Sequence, residues 1–148
     1  RIGGLSKRGG TSRIILPGKT DNGATIGASR LLYGYLLKRH ARLFEYQSRR
    51  LHTKLVIVDD AVYIGSANFD LRSLFINVEM MLRIDDAEFS NHARTVIDVL
   101  RENAEPITPQ LHKSRRSFLN RLRWTISYFF VNTLDYSVTR RLNFGLRK

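Results

Sequence analysis

Apolar positions along the chain follow two spacings, one typical of strands and one typical of helices. Short apolar or alternating runs bounded by Gly, Pro and Asp predict strands, and apolar residues at helical spacing predict helices. The predicted strands span residues 12–16, 42–46, 51–58, 62–64 and 77–84, and the predicted helices span 24–39 and 87–103. In the second helix, the residues predicted to face inward are Phe89, Ala93, Val96, Ile97 and Leu100. This order predicts an α/β fold, a mixed β-sheet flanked by helices, with a β-hairpin that turns at Asp59, Asp60 and Ala61.

The last third of the chain differs from the rest. Pro106 and Pro109 mark a boundary, which predicts a first domain over residues 1–105 and a basic amphipathic helical tail over 106–148. One helical face of the tail carries Phe118, Leu119, Leu122, Ile126, Phe129, Phe130 and Leu134. The weakly polar run 124–134 is well short of the roughly 20 residues that span a bilayer. With arginines near its start, the helix suits an anionic membrane interface; the alternative is that it packs on the domain's own core.

The charge of the chain is strongly positive and uneven. Among its 148 residues the net charge is +12, and an acidic middle block, 51–105, is flanked by two basic ones. Basic flanks attract polyanions, either nucleic acid or an anionic membrane. The absence of cysteine excludes disulfides and thiolate metal sites. The chain begins at Arg1 rather than Met, so we expect a fragment of a longer protein.

Two polar residues interrupt the apolar strand predicted over 51–58. His52 and Lys54 would lie on one face of that strand, about 6–7 Å apart. Lys is a compact charge for a phosphate oxygen, and His can act as nucleophile or general acid. A turn after the next strand could bring Ser66 and Asn68 to the same phosphate, and Glu79 could accept a hydrogen bond from the imidazole. Together these residues predict a site for phosphate chemistry.

The string HTKLVIVD has the pattern H-x-K-x4-D and is followed by GSAN and FDLRSLFINVE. It resembles the HKD motif of the phospholipase D superfamily, and the DLRS and N-x-E elements are similar to those of bacterial cardiolipin synthases. The resemblance covers roughly residues 12–105 and implies a phospholipase D-like half-domain with one HKD motif. It implies no metal and no cofactor.

The resemblance also implies a role for each matching residue. His52 forms a phosphohistidine or, as we slightly favour, protonates the leaving alcohol. Lys54 and Asn68 bind the phosphoryl oxygens with support from Ser66. Glu79 orients His52, and Asp59 holds the hairpin rather than taking part directly.

The implied function is a phosphatidyltransferase that makes cardiolipin from a phosphatidylglycerol-like phospholipid, peripherally bound at the bacterial inner membrane. The mechanism needs a second HKD half-site, from a missing N-terminal half, which we favour, or from a second copy of the chain. The alternatives are phospholipase D hydrolysis, a homodimeric nuclease of the same superfamily, and an inactive membrane-binding module. The tail and the DLRS element count against nucleic acid as the partner.

Overall fold

The computed structural model describes residues 4–21, 23–68 and 77–131. The elements in these ranges are β1 (Arg13–Pro17), α1 (Gly23–Leu37), β2 (Arg42–Tyr46), β3 (Leu55–Val58), β4 (Ala61–Gly65), β5 (Met81–Asp85), α2 (Ala87–Glu102), β6 (Ala104–Ile107), α3 (Pro109–Arg115) and α4 (Phe118–Phe129), after a short 3-10 helix at Ser6–Arg8. The predicted mixed α/β class is confirmed. The strands form two three-stranded sheets, β1-β2-β6 and β3-β4-β5, rather than one.

The chain divides into two compact units. The first is formed by Arg1–Leu51 together with Leu100–Phe130, and the second centres on His52–Val99. In the first unit, β1 and β2 are parallel and joined through α1, and β6 pairs antiparallel with β2. Its core is the cluster Tyr33, Ala41, Leu43 and Ile107.

Strand β6 and helix α3 were not predicted, because their prolines resemble a boundary. Pro106 lies on β6, an edge strand of its sheet, and pairs with Phe44 of β2. An edge strand tolerates proline because the proline nitrogen, which carries no hydrogen to donate, can face solvent instead of a neighbouring strand. Thr108 caps α3, with its Oγ1 3.1 Å from the backbone N of Leu111, and Pro109 begins the helix. A helix accepts proline there because its first N–H groups have no partner within the helix.

Helix α4 packs against α1 in the first unit. A Cβ atom added to Gly27 of α1 would lie 2.6 Å from the Ser127 hydroxyl oxygen, so only glycine permits this approach. Trp124 of α4 is buried. The predicted division at residue 105 thus falls inside the first unit, and as a domain boundary it stays a prediction. Leu134 lies outside the described residues. In the described ranges, no helix combines the length and hydrophobicity needed to cross a bilayer.

The second unit holds the antiparallel sheet β3-β4-β5. Val58 pairs with Ala61, which leaves Asp59 and Asp60 as a two-residue turn and confirms the predicted hairpin. Asp59 adopts a left-handed backbone conformation, φ 49°, which Asp tolerates better than most residues. Val62 on the central strand is fully buried.

Two strands of this sheet are shorter than predicted. The predicted strand 51–58 begins only at Leu55, and the predicted strand 77–84 begins only at Met81. The reason is that β4 ends at Gly65, which pairs with Met81, so the ladder stops there. His52, Lys54 and Glu79 therefore lie in the segments that lead into strands rather than in the strands themselves.

The inward face of α2 is also corrected. Ser90 and Ala93 are buried, whereas Phe89 and Val96 are 40% and 46% exposed. Ser90 and Ala93 are three positions apart, so they share a helix face with the half-buried Ile97. Phe89 and Val96, which were predicted to face inward, are each one residue before a member of that face. One residue turns the helix by about 100°, so both lie at the border of the face.

Candidate functional site

His52 and Lys54, which the sequence predicts as partners, contact each other at the surface of the second unit. The Lys54 ammonium nitrogen lies 2.9 Å from Nδ1 and 2.8 Å from Nε2 of His52. The ring nitrogens direct their bonding positions away from each other, so one ammonium cannot bond linearly to both. The ammonium also donates to the backbone oxygen of His52 at 2.9 Å, which holds the cation against the ring. The predicted shared strand face is replaced by this contact within a loop.

Ser66 and Glu79 are joined across the end of the sheet. The Ser66 hydroxyl donates to Oε2 of Glu79 at 2.5 Å and accepts from the backbone N of Met80 at 3.0 Å. The backbone N of Ser66 donates to the Met80 oxygen at 2.9 Å. These bonds continue the β4–β5 register past Gly65 and place a hydroxyl beside a carboxylate at an exposed position.

Asn77 is the member of this group that sequence reasoning missed. Its side-chain amide donates to Oε1 of Glu79 at 3.1 Å, so Asn77 and Ser66 hold different oxygens of one carboxylate. Asn77 is the first residue of the N-x-E element, so the motif itself indicates that Asn77 lies close to Glu79. Two donors on one carboxylate fix its orientation.

The backbone also links the two groups of the site. The backbone N of Gly65 donates to the Lys54 oxygen at 3.3 Å, and Ser66 follows Gly65 directly. The segment carrying His52 and Lys54 is thereby tied to the segment carrying Ser66. The predicted hydrogen bond between His52 and Glu79 stays a prediction.

The remaining predicted residues take different positions. Asp59 lies in the β3–β4 turn, and its backbone oxygen accepts a hydrogen bond from the Arg94 guanidinium of α2. Asn68 is exposed and follows the Ser66 segment by two residues. The DLRS element lies in residues 69–76, outside the described residues.

A second cluster of charges, which the sequence did not predict, lies in the first unit around Glu45. This residue is fully buried, and its two carboxylate oxygens accept from Nε and a terminal nitrogen of Arg30 at 2.9 and 2.8 Å. Gln47 donates to it at 3.2 Å, and Arg115 lies 3.6 Å away while bonding Glu105. Burial alone would raise the pKa of Glu45, but the hydrogen bonds and charge of Arg30 outweigh it and hold that pKa below the usual value.

Aromatic rings lie beside this cluster. His112 of α3 stacks on Trp124 with ring centroids 5.7 Å apart and lies 6.2 Å from Tyr33. Desolvation, and secondarily the charge of Arg116, lowers the pKa of His112. Burial and the nearby Glu45 carboxylate raise the pKa of Tyr33. Both shifts favour the neutral form of these side chains in the first unit.

Comparisons with known proteins identify the family. The family described as "Cardiolipin synthase, PLD-like domain" matches residues 1–101. Over 104 residues, 70% of this chain and 22% of the relative, the chain is 38% identical to cardiolipin synthase A of Pseudomonas putida. Over 128 residues, 83% of this chain and 32% of the relative, it is 35% identical to the minor cardiolipin synthase ClsB of Bacillus subtilis. The chain thus spans about a fifth to a third of the lengths of these relatives. It belongs to the phospholipase D superfamily, in the family of cardiolipin synthase PLD-like domains.

Proposed function

We propose that the chain carries one catalytic half-site of a phosphatidyltransferase that acts on phospholipid phosphodiesters, most specifically in cardiolipin synthesis. The observation that carries this proposal is the contact between the His52 imidazole and the Lys54 ammonium. It places a proton-transferring or nucleophilic ring beside a cation that attracts a phosphoryl oxygen, at the solvent-exposed surface of the second unit. The names of its relatives support the choice of phosphatidyl transfer.

The reaction proceeds as two substitutions at phosphorus. An imidazole nitrogen attacks the phosphorus, a P–N bond forms, and the bond to the departing alcohol oxygen breaks. A second histidine gives that oxygen a proton. In the second step the same histidine takes a proton from the acceptor alcohol, whose oxygen displaces the phosphohistidine. We assign His52 the proton transfers, and the nucleophile to a second HKD half-site.

The other site residues have supporting roles. Lys54 and Asn68 bind the phosphoryl oxygens, where negative charge must be stabilised as bonds form and break. Ser66 supports this binding and, with Asn77, holds Glu79, which we expect to orient His52 in the assembled site. The Asp59 backbone oxygen ties the hairpin to α2 through Arg94, in keeping with a structural role.

The partners follow from this chemistry. The donor is a phosphatidylglycerol-like lipid, and the second half-site comes from an N-terminal half of the same protein or from a second copy. A lipid substrate requires contact with the membrane, so we assign the protein a peripheral place at the bacterial inner membrane. No nucleic acid is needed for this function.

The test is a transfer assay on the whole protein to which this chain belongs, with vesicles of labelled phosphatidylglycerol. His52→Ala should lower cardiolipin formation by about 10³-fold or more, because either chemical role requires the imidazole. His92→Ala is the matched control, since His92 is an exposed histidine of α2 with no assigned role in the site. Near-parental activity of a folded His52→Ala protein would refute the assignment.

The product identifies the acceptor. Cardiolipin and free glycerol indicate transfer to a lipid alcohol, whereas phosphatidic acid indicates hydrolysis by water. Cleavage of DNA without lipid turnover would instead establish the nuclease alternative. A dependence of the rate on the square of the chain concentration would show that the second half-site comes from another copy.

A further inference from the structure

Helix α4 presents its large apolar side chains to solvent. We define the apolar face as six residues of α4 and its C-cap that are between 47% and 82% exposed. They are Phe118, Leu119, Leu122, Ile126, Phe129 and Phe130. At about 100° per residue they occupy about one third of the helix circumference. A contiguous apolar patch of this kind on a protein surface marks an interaction site.

The opposite side of α4 holds the helix to its own domain. Trp124 is 7% exposed and stacks on His112, and Ser127 lies against Gly27 of α1. Trp124 is about 180° around the helix from the middle of the apolar face. Trp124 and Ser127, which approach Gly27 of α1, therefore lie outside the apolar face.

The charged residues of α4 and of the segment before it are all Lys or Arg. Residues 106–131 contain five Lys/Arg and no Asp or Glu. Arg121 and Arg123 are exposed and lie on either border of the apolar face, and Arg116 and Lys113 are exposed just before the helix. Long arginine stems can extend their charges to the level of lipid headgroups while neighbouring rings enter the apolar layer.

We propose that the apolar face of α4 docks into the interface of an anionic phospholipid surface while Trp124 stays packed against the first unit. Six apolar side chains bordered by cations match a surface that is apolar below and anionic above. The proposal deepens the proposed function, since it names the surface through which a lipid-using site would reach its membrane. It divides α4 into a docking side and an anchoring side.

Binding of the 148-residue chain to vesicles tests the apolar part. The vesicles are phosphatidylcholine alone or an equal mixture of phosphatidylcholine and phosphatidylglycerol. The variant L119Q/F129Q should bind the mixed vesicles at least about tenfold more weakly, because each lost side chain removes apolar burial. Gln keeps a good helix propensity, so α4 should persist. The matched control V96Q/V99Q changes two exposed apolar residues of α2 and should bind like the parent.

The charged part is tested separately. R121Q/R123Q should weaken binding by roughly tenfold or more at low salt, with a smaller difference at high salt, since each cation near an anionic surface contributes about a factor of five. R42Q/R49Q, which removes the same charge from exposed arginines elsewhere, should have a much smaller effect. If K54Q/N68A, which lacks the two groups assigned to phosphoryl binding, loses vesicle binding while L119Q/F129Q keeps it, then the catalytic site recognises the headgroup and docking by α4 is overturned.

Trp124 reports whether the helix stays in place, because it is the only tryptophan in the chain. Its fluorescence should be unchanged on vesicle binding and should not be quenched by brominated acyl chains. Quenching would show that α4 has turned over or detached, and would overturn the division into two sides. Parent-like vesicle binding by L119Q/F129Q would overturn the docking site itself. Self-association that this variant abolishes, without vesicle binding by the parent, would show a protein interface instead and overturn the membrane proposal.

Discussion

Two regions of this protein hold clusters of polar and charged side chains, one of them around a buried carboxylate and the other at the surface. Around Glu45, a carboxylate, two guanidiniums and an amide meet in the interior, and the carboxylate has no exposed surface. In the second unit, the His52 imidazole contacts the Lys54 ammonium and the Ser66 hydroxyl contacts the Glu79 carboxylate, both at exposed positions. The first cluster connects α1, β2 and α3, whereas the second lies where strands begin and end.

The difference shows that burial decides what such a cluster can do. Glu45 is enclosed by its ion pair with Arg30, so a substrate has no access to its carboxylate, and its charge is satisfied by protein alone. The exposed groups near His52 leave room for a phosphodiester to enter. A polar cluster in the sequence therefore predicts chemistry only when the fold keeps it open to solvent.

Replacing Glu45 should have the largest effect on stability. Glu45→Gln leaves Arg30 and Arg115 without their buried partner, and breaking a buried pair typically costs about 3–5 kcal/mol. The arginine side chains are 28% and 33% exposed and can recover some hydration, so we expect a loss of about 2–3 kcal/mol. Urea unfolding at neutral pH measures it.

The pH dependence and a control sharpen the same test. Because the folded pKa of Glu45 lies below the usual value, its contribution is present above the ordinary Glu pKa and is lost as pH falls through the folded pKa. The difference in the free energy of unfolding between the parent and Glu45→Gln should therefore become smaller at acidic pH. Glu102→Gln changes an exposed carboxylate and should shift stability by less than about 0.5 kcal/mol. Equal stabilities for parent and Glu45→Gln would contradict the comparison.

Replacing Glu79 should lower activity rather than stability, the opposite of the effect expected for Glu45. In the whole protein, Glu79→Gln should lower turnover by about 10–100-fold, less than His52→Ala, with stability nearly unchanged. The proposed role of Glu79 is to orient the His52 imidazole, so its loss should lower kcat more than it changes KM. Glu88→Gln is the matched exposed control in the same unit. A kcat equal to the parent's would mean that Glu79 serves only the Ser66 segment.

The smallest expected effect is the titration of His112. Burial lowers the pKa of His112 in the folded protein. Between about pH 6.5 and that folded pKa the unfolded chain binds more protons than the folded one, so the stability decreases as the pH is lowered through this range. One proton gives a slope of at most about 1.4 kcal/mol per pH unit. Unfolding measured across this range should show that slope in the parent and lose it in His112→Gln. Parallel curves for the two proteins would assign the acid sensitivity to other groups.

Local patterns predicted the elements whose own residues suffice to define them. The helices over Gly23–Leu37 and Ala87–Glu102, the strand Arg42–Tyr46 and the hairpin at Asp59 follow from spacing and turn residues. The missed strand Ala104–Ile107 contains a proline that only its edge position makes acceptable. That position depends on pairing with β2, which is distant in sequence, so no local pattern could reveal it.

The sequence by itself determined the α/β class and the H-x-K-x4-D and GSAN motifs, because backbone propensity and side-chain chemistry are properties of short segments. Only the tertiary structure decided that β4 ends at Gly65, which releases His52, Lys54 and Glu79 from the strands predicted for them. It also decided that Glu45 is buried, and that α4 buries Trp124 while its other large apolar residues stay about half exposed or more. These outcomes depend on which segments, distant in sequence, pack together, and the residues of one segment alone do not specify its packing partners.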